Sequence, residues 1–132
     1  MARIEVETPT TTNVEECLRP IATTSERVHG LLTIGLHASE IAAATGVSVS
    51  GLRNWGTGQA EPRPDAAISL DDLRATAKIL LDGGMEQRRV AHWLRGWNPN
   101  LEARPLELVS ERAMDVRAAA LGAVLETGLA PV

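Results

Sequence analysis

The stretch ASEIAAATGVSVSGLRNWGTG, residues 38–58, decides the fold because it reads as two short helices around a glycine turn. A helix over roughly 38–45 turns Ile41 and Ala42 inward and ends at Gly46, a residue type that takes the left-handed C-terminal position without a Cβ clash. Ser48 then caps a further helix near 49–56. A helix-turn-helix needs a small residue where its helices cross, a tight turn with positive φ, and apolar anchors that fix the recognition helix. Ala42, Gly46 and the pair Leu52 and Trp55 supply these in order. On such a unit Ser48 and Ser50, at a helix N-terminus, meet phosphate. Arg53 and Asn54 face the groove, where Arg suits guanine and Asn suits adenine, and Thr57 and Arg63 serve the nucleic-acid backbone. Two features weigh against DNA reading. Gly51 inside the recognition helix costs about 1 kcal/mol relative to Ala unless it permits close approach to DNA, and the segment is not markedly basic. A plain helical hairpin with a solvated Arg53 is the alternative.

Working outward, Ser25 is expected to cap a helix carrying Val28, Leu31 and Leu32, with Gly35 as its stop. Residues 1–13 hold TPTTT and Pro9 without an apolar period, so residues 1–24 read as a flexible N-terminal segment. On the other side TGQAEPRPDAA, residues 57–67, holds two prolines and reads as an extended connector. SLDD at 69–72 is a capping-box variant, Ser69 as cap and Asp72 at the third helical position, opening a helix that stops at Gly83. Leu70, Leu73, Ala77, Leu80 and Leu81 form its apolar stripe. A helix from about Met85 to Arg95 places Val90, Trp93 and Leu94 on one side and Arg88, His92 and Arg95 on another. After Gly96 and the irregular WNPN, the chain restarts at Pro105 and ends in a long helix from about Glu111 to Glu126. No strand pattern and no repeat is visible. The fold class is therefore all-α: a helix-turn-helix over 25–64 followed by a small helical module over 65–132, expected to form one continuous body.

Among the 132 residues, 44% are apolar and 23% charged, with three Trp and neither Tyr nor Phe, so packing relies on Leu, Ala, Val and Ile. A net charge of -4 argues against an indiscriminate polyanion binder, since non-specific affinity comes from Lys and Arg displacing counterions. DNA reading, if present, is local and assisted by a dimer. The single Cys17 excludes an internal disulfide. No apolar run approaches the roughly 18 residues of a membrane helix, and the N-terminus has no signal-peptide pattern, so cytoplasm is expected. There is no GxSxG, no P-loop and no Cys beside a base. Asp71, Asp72 and Asp82 read as caps and surface, and His29, His37 and His92 lack ligand spacing. No catalytic residue, metal or cofactor is expected.

Residues 118–125, AAALGAVL, carry no charge on any face, and a helix that is apolar all round must be covered on more than one side. Val116, Ala120 and Val124 suit its own domain. Met114, Leu121, Leu125 and Leu129 then need another cover: a partner surface, a second copy, or the rest of the core. The Arg88, His92 and Arg95 stripe suits an acidic partner, DNA phosphate or plain water.

The order helix-turn-helix, Pro-containing connector, two helices and then WLRGWNPNLEARPLELV, residues 93–109, resembles the Xre/ParS/MbcA antitoxins, the partners of RES-domain toxins. The resemblance spans roughly residues 25–132 and is sharpest at Trp93, Leu94, Asn98, Pro99, Leu101, Pro105, Leu106 and Leu108. The family turn is typically NPxLGGxxP. Here it is NPNLEARP, without the glycines, and Trp97 is an added bulky residue. The resemblance implies a homodimer that represses its own operon by binding operator DNA through the N-terminal domain and holds its toxin through the C-terminal domain. RES toxins consume NAD, and the antitoxin's C-terminal part blocks their active-site cleft. On this chain that implies toxin contacts at Met114, Leu121, Leu125, Glu126, Thr127, Gly128 and Leu129. Two rival readings remain: a stand-alone dimeric repressor without a toxin, and a protein-binding module that has lost DNA affinity.

Overall fold

Pro64 opens the longest helix, around which the others are arranged. In the computed structural model, residues 13–126 are described. They form α1 (Val14–Cys17), α2 (Thr24–Thr33), α3 (Ala38–Thr45), α4 (Val49–Gly56), α5 (Pro64–Asp82), α6 (Gln87–Arg95), α7 (Pro105–Leu108) and α8 (Ala113–Glu126). The class is all-α. The single extended pairing among the described residues is an isolated bridge between Asn98 and Ala103.

Helix boundaries follow local chemistry, with instructive shifts. α3 and α4 keep their expected bounds: Gly46 closes α3 at φ 75°, and the Ser48 hydroxyl accepts the Gly51 amide at 3.0 Å. α2 begins earlier than the Ser25 reading. Thr23 and Glu26 make a reciprocal capping box, Thr23 N–H to Glu26 Oε1 at 2.8 Å and Glu26 N–H to Thr23 Oγ1 at 3.1 Å. Ser25 instead donates to the Gly56 carbonyl at 2.6 Å, tying α2 to α4. α5 also starts earlier, at Pro64, so the connector is 57–63 and Ser69 is not a cap. A proline at the first helical position has its φ preset and forfeits an amide that would be unpaired anyway. Ser69 lies inside the helix, its hydroxyl on the Asp65 carbonyl at 3.3 Å. α6 starts at Gln87, with Met85 buried ahead of it.

Residues 13–18, read as part of the loose N-terminal segment, are folded. Asn13 caps α1, and Val14, Cys17 and Leu18 are buried. The Arg74 guanidinium of α5 holds this segment, donating to the Leu18 carbonyl at 2.9 Å and to Asp71 at 2.7 Å. Burial pushes the Cys17 thiol above its ordinary range, with Glu26 and Glu16 adding to the shift.

α5 packs against α2, α3, α6 and α8. One contiguous apolar cluster runs from Val14 through Val28, Leu31, Ile41, Leu52, Trp55, Leu73, Leu80 and Leu94 to Val124, so residues 25–64 and the segment beyond share a core. Trp93, on the side of α6 that carries the buried Val90 and Leu94, is only partly buried at the edge of this core, and Trp97 is 65% exposed. α8 packs tightly against Gly83, the C-cap of α5, where an added Cβ would lie 2.2 Å from Val124 Cγ1. Further along, Arg117 donates to Asp72 at 2.7 Å. Burial nonetheless raises the Asp72 carboxyl above its ordinary value, outweighing the pull of Arg117.

The contact at Gly83 is open to a direct check. Gly83→Ala is expected to destabilise the chain by about 1–3 kcal/mol in urea unfolding, as overpacking of a closed core does. Val124→Ala in the same chain should return part of that loss, giving a favourable coupling between the two sites; strict additivity would mean that α5 and α8 do not meet there.

Two candidate interaction surfaces

The first surface is built on α4. Leu52 and Trp55 are buried and fix its roll against α2 and α3, which leaves Ser48, Ser50, Arg53 and Asn54 exposed along its outer side. Thr57, the C-cap, is also exposed, its hydroxyl donating to the Asn54 carbonyl at 3.3 Å. Arg63 is exposed at the N-cap of α5. The five α4 positions are thus gathered on one short helix and its caps, with Arg63 beyond the connector. Gly51 has an internal explanation. A Cβ there would lie 2.6 Å from Val47 Cγ2, so the glycine admits the turn that precedes α4.

The orientation of α3 depends on a contact invisible to local reading. Arg95 of α6, placed by its spacing on an outward stripe with Arg88 and His92, instead forks onto Glu40 of α3. Nε reaches Oε2 and a terminal nitrogen reaches Oε1, both at 2.9 Å, and the same terminal nitrogen reaches the Gly35 carbonyl at 2.8 Å. Such bidentate pairs are among the stronger polar contacts in proteins. Arg88 and His92 stay exposed. Ser110 adds a second tie, its hydroxyl donating to the Ala44 carbonyl at 2.7 Å. Between α3 and α7 lies an open cleft of about 590 Å³, lined by Glu40, Ala44, Arg95, Leu106 and Glu107 among others.

The second surface is α8. Val116, Ala120 and Val124 are buried against the body, as the alternation of apolar residues predicts. On the outside Met114 is 71% exposed, Leu121 53% and Leu125 62%, with Glu126 exposed as well. Thr127, Gly128 and Leu129 lie outside the described residues. Three large apolar side chains in water on one short helix make a patch of the kind that marks a protein contact.

No protein-family model and no solved structure matches the chain. It is 36% identical over 99 residues, 73% of this chain and 83% of the relative, to a Mycobacterium tuberculosis protein named a probable mycobacterial cidal antitoxin. The chain belongs to this antitoxin family. Within an antitoxin of this size both surfaces sit on one shared core, α4 held by α2 and α3, and α8 by α5. No helix among the described residues is long and apolar enough to cross a membrane.

The α3–α6 tie carries a pH signature. Hydrogen bonds from Arg95 hold the Glu40 carboxyl below its ordinary value of 4.5, the smaller cost of burial notwithstanding. A carboxyl with a depressed folded pKa contributes stability that is complete above its unfolded pKa and is lost as pH falls through the lower folded value. The stability gap between wild type and Glu40→Gln should therefore be constant near neutrality and shrink below about pH 4.5. Equal gaps at pH 7 and pH 3 in urea titrations would contradict it.

Proposed function

We propose that the chain is the antitoxin of a type II toxin-antitoxin pair, that it binds and inhibits a RES-domain, NAD-consuming toxin through α8 and the residues after it, and that as a homodimer in the cytoplasm it represses its own operon through α3 and α4 acting as a helix-turn-helix. It acts by binding and does no chemistry of its own. The observation that carries the toxin half is the exposed apolar face of α8 on a member of an antitoxin family. Covering a Leu or Met side chain stabilises a complex by roughly 1.5–3 kcal/mol when burial is complete, and Met114, Leu121 and Leu125 are ready to be covered. The RES identity is supported by the resemblance of residues 93–109, and inhibition follows if the tail beyond α8 occupies the toxin's cleft.

The DNA half is supported by the outward positions of Ser50, Arg53 and Asn54 on a helix fixed by Leu52 and Trp55. One observation favours a second reading, a protein-binding module without DNA affinity. Residues 36–63 hold only Arg53 and Arg63 as cations against Glu40 and Glu61. A dimer that pairs two weak readers on an inverted repeat offsets that shortage, because its two half-sites add.

Two measurements separate these parts. Leu121→Asp should leave the fold intact, since Leu121 is exposed, yet abolish rescue of cells expressing the RES-domain toxin; continued rescue would remove α8 from the inhibitory contact. Arg53→Ala should weaken binding to the chain's own operator by about 5- to 150-fold, the 1–3 kcal/mol of a bidentate base contact, with an unchanged melting temperature. If gel shifts with wild type and variant coincide, Arg53 reads no base.

A further inference from the structure

We propose that Arg88 and His92 of α6 extend the DNA-binding surface beyond the helix-turn-helix and hold the phosphate backbone of a duplex beside the start of α3. This rests on the DNA reading of α3 and α4 and specifies where that complex finds its backbone contacts.

α4 presents groups suited to base edges but little charge. A protein on DNA draws roughly half to two-thirds of its hydrogen bonds, and its sequence-independent affinity, from the sugar-phosphate backbone. Residues 36–63 offer two cations for that task, Arg53 and Arg63. Most other described cations are spent on carboxylates, Arg74, Arg95 and Arg117 among them. Arg88 and Arg89 are exposed and make no ion pair among the described residues. Residues 87–97, QRRVAHWLRGW, hold no acid, in a chain whose net charge is -4.

Position singles out the occupant. When a helix-turn-helix docks, its second helix enters the major groove and its first crosses the backbone. Here the first is α3, and α6 lies against the turn that leads into it. An added Cβ at Gly35 would sit 3.4 Å from the Ala91 Cβ, and Arg95 reaches both the Gly35 carbonyl and Glu40. Arg88 lines a groove of about 630 Å³ together with Thr33, Ile34 and Gly35. Contacts at both ends of the stripe therefore set Arg88, His92 and Arg95 along this turn, while Arg89 lines a different groove with Gly84 and Met85. His37 and Ser39 are exposed at the start of α3.

The charges and polarity of this edge fit a polyanion. Arg95 neutralises Glu40, a carboxylate that would otherwise repel phosphate where α3 begins. Glu86 is the acid among the residues lining the groove, and Arg88 and Arg89 outnumber it. The exposed positions of α6, Gln87, Arg88, Arg89 and His92, are all polar, without the apolar centre that a protein interface carries. A phosphate backbone needs only donors and positive charge.

The test uses the full chain and two fluorescein-labelled duplexes, one covering the region upstream of its own operon and one a scrambled sequence of equal composition, with anisotropy read over a series of salt concentrations. Arg88→Ala should weaken binding to both duplexes several-fold and by the same factor, with an unchanged melting temperature. It should also make the slope of log affinity against log salt shallower by about 0.9 for each protomer bound. Arg88→Lys should restore the slope, and Arg89→Ala should leave it as in wild type. His92→Ala should weaken both duplexes in equal proportion. A wild-type slope in Arg88→Ala would overturn the backbone contact while leaving the DNA reading intact, and equal flattening by Arg88→Ala and Arg89→Ala would overturn its placement. Loss of toxin binding in Arg88→Ala at an unchanged slope would assign the stripe to an acidic protein surface instead. Wild-type protein that fails to prefer the upstream duplex at any salt concentration would remove the DNA reading and this contact with it.

Discussion

With no Phe, no Tyr and only Trp55 among its tryptophans fully inside, the core has to be closed by backbones that approach one another, and α5 is where they do so. Its inward positions alternate Leu70, Leu73, Ala77 and Leu80, so large side chains fill beside a small one that lets a neighbour come near. Gly83 carries this furthest, admitting the Val124 side chain of α8 where even a methyl group would collide. Gly30 does the same for α1 against Cys17 and Leu18. Close packing of small residues gains its energy from many short contacts, which is why one added carbon is felt strongly. Both candidate surfaces are positioned by helices that lean on α5 or on its neighbours, α4 on α2 and α3 and α8 on α5 itself.

The polar contacts that lock this arrangement share one design. Arg74, Arg95 and Arg117 each reach from one element to another, satisfying a carbonyl or carboxylate far away in sequence: Leu18, Glu40 and Asp72 respectively. A planar guanidinium can hold two acceptors in fixed directions, so each contact restrains an angle between elements as well as a distance. Arg95 restrains α3 and, through the Gly46 turn, α4. Arg117 restrains α8 on α5. None of the three depends on a neighbour at helical spacing alone.

That explains which parts of the molecule were legible from residues in order. The bounds of α3 and α4 were readable because Gly46 and Ser48 act within a few residues of where they stand. The two-faced character of α8 was readable because its run 118–125 carries no charge to face water on any side, and the split between Val116, Ala120, Val124 and Met114, Leu121, Leu125 follows from the 3.6 period. The start of α5 was missed because Ser69 to Asp72 has the form of a cap, and the same residues serve equally well in mid-helix once Pro64 has nucleated the turn. The role of Arg95 was beyond any local rule, since Glu40 is 55 residues away. Helical spacing put Trp93 on one side of α6 with Val90 and Leu94, but spacing does not give depth: those two are fully buried, and Trp93 is only partly covered against the cluster.

The shared core also bears on how two surfaces work on one small body. Were residues 25–64 a tethered domain, a partner on α8 would leave α4 free to reorient. Here α3 is tied to α6 by Arg95 and to the segment after α7 by Ser110, while α5 joins α3 and α8 directly. Reorienting α4 relative to α8 would break a bidentate ion pair and open an apolar core, the second alone at a cost of several kcal/mol. A protein docked on α8 would therefore be carried at one orientation relative to α4. Whether both surfaces are occupied together is then a question of the partner's size and shape, because the connector from 57 to 63 is spanned by packed helices that keep it from acting as a hinge.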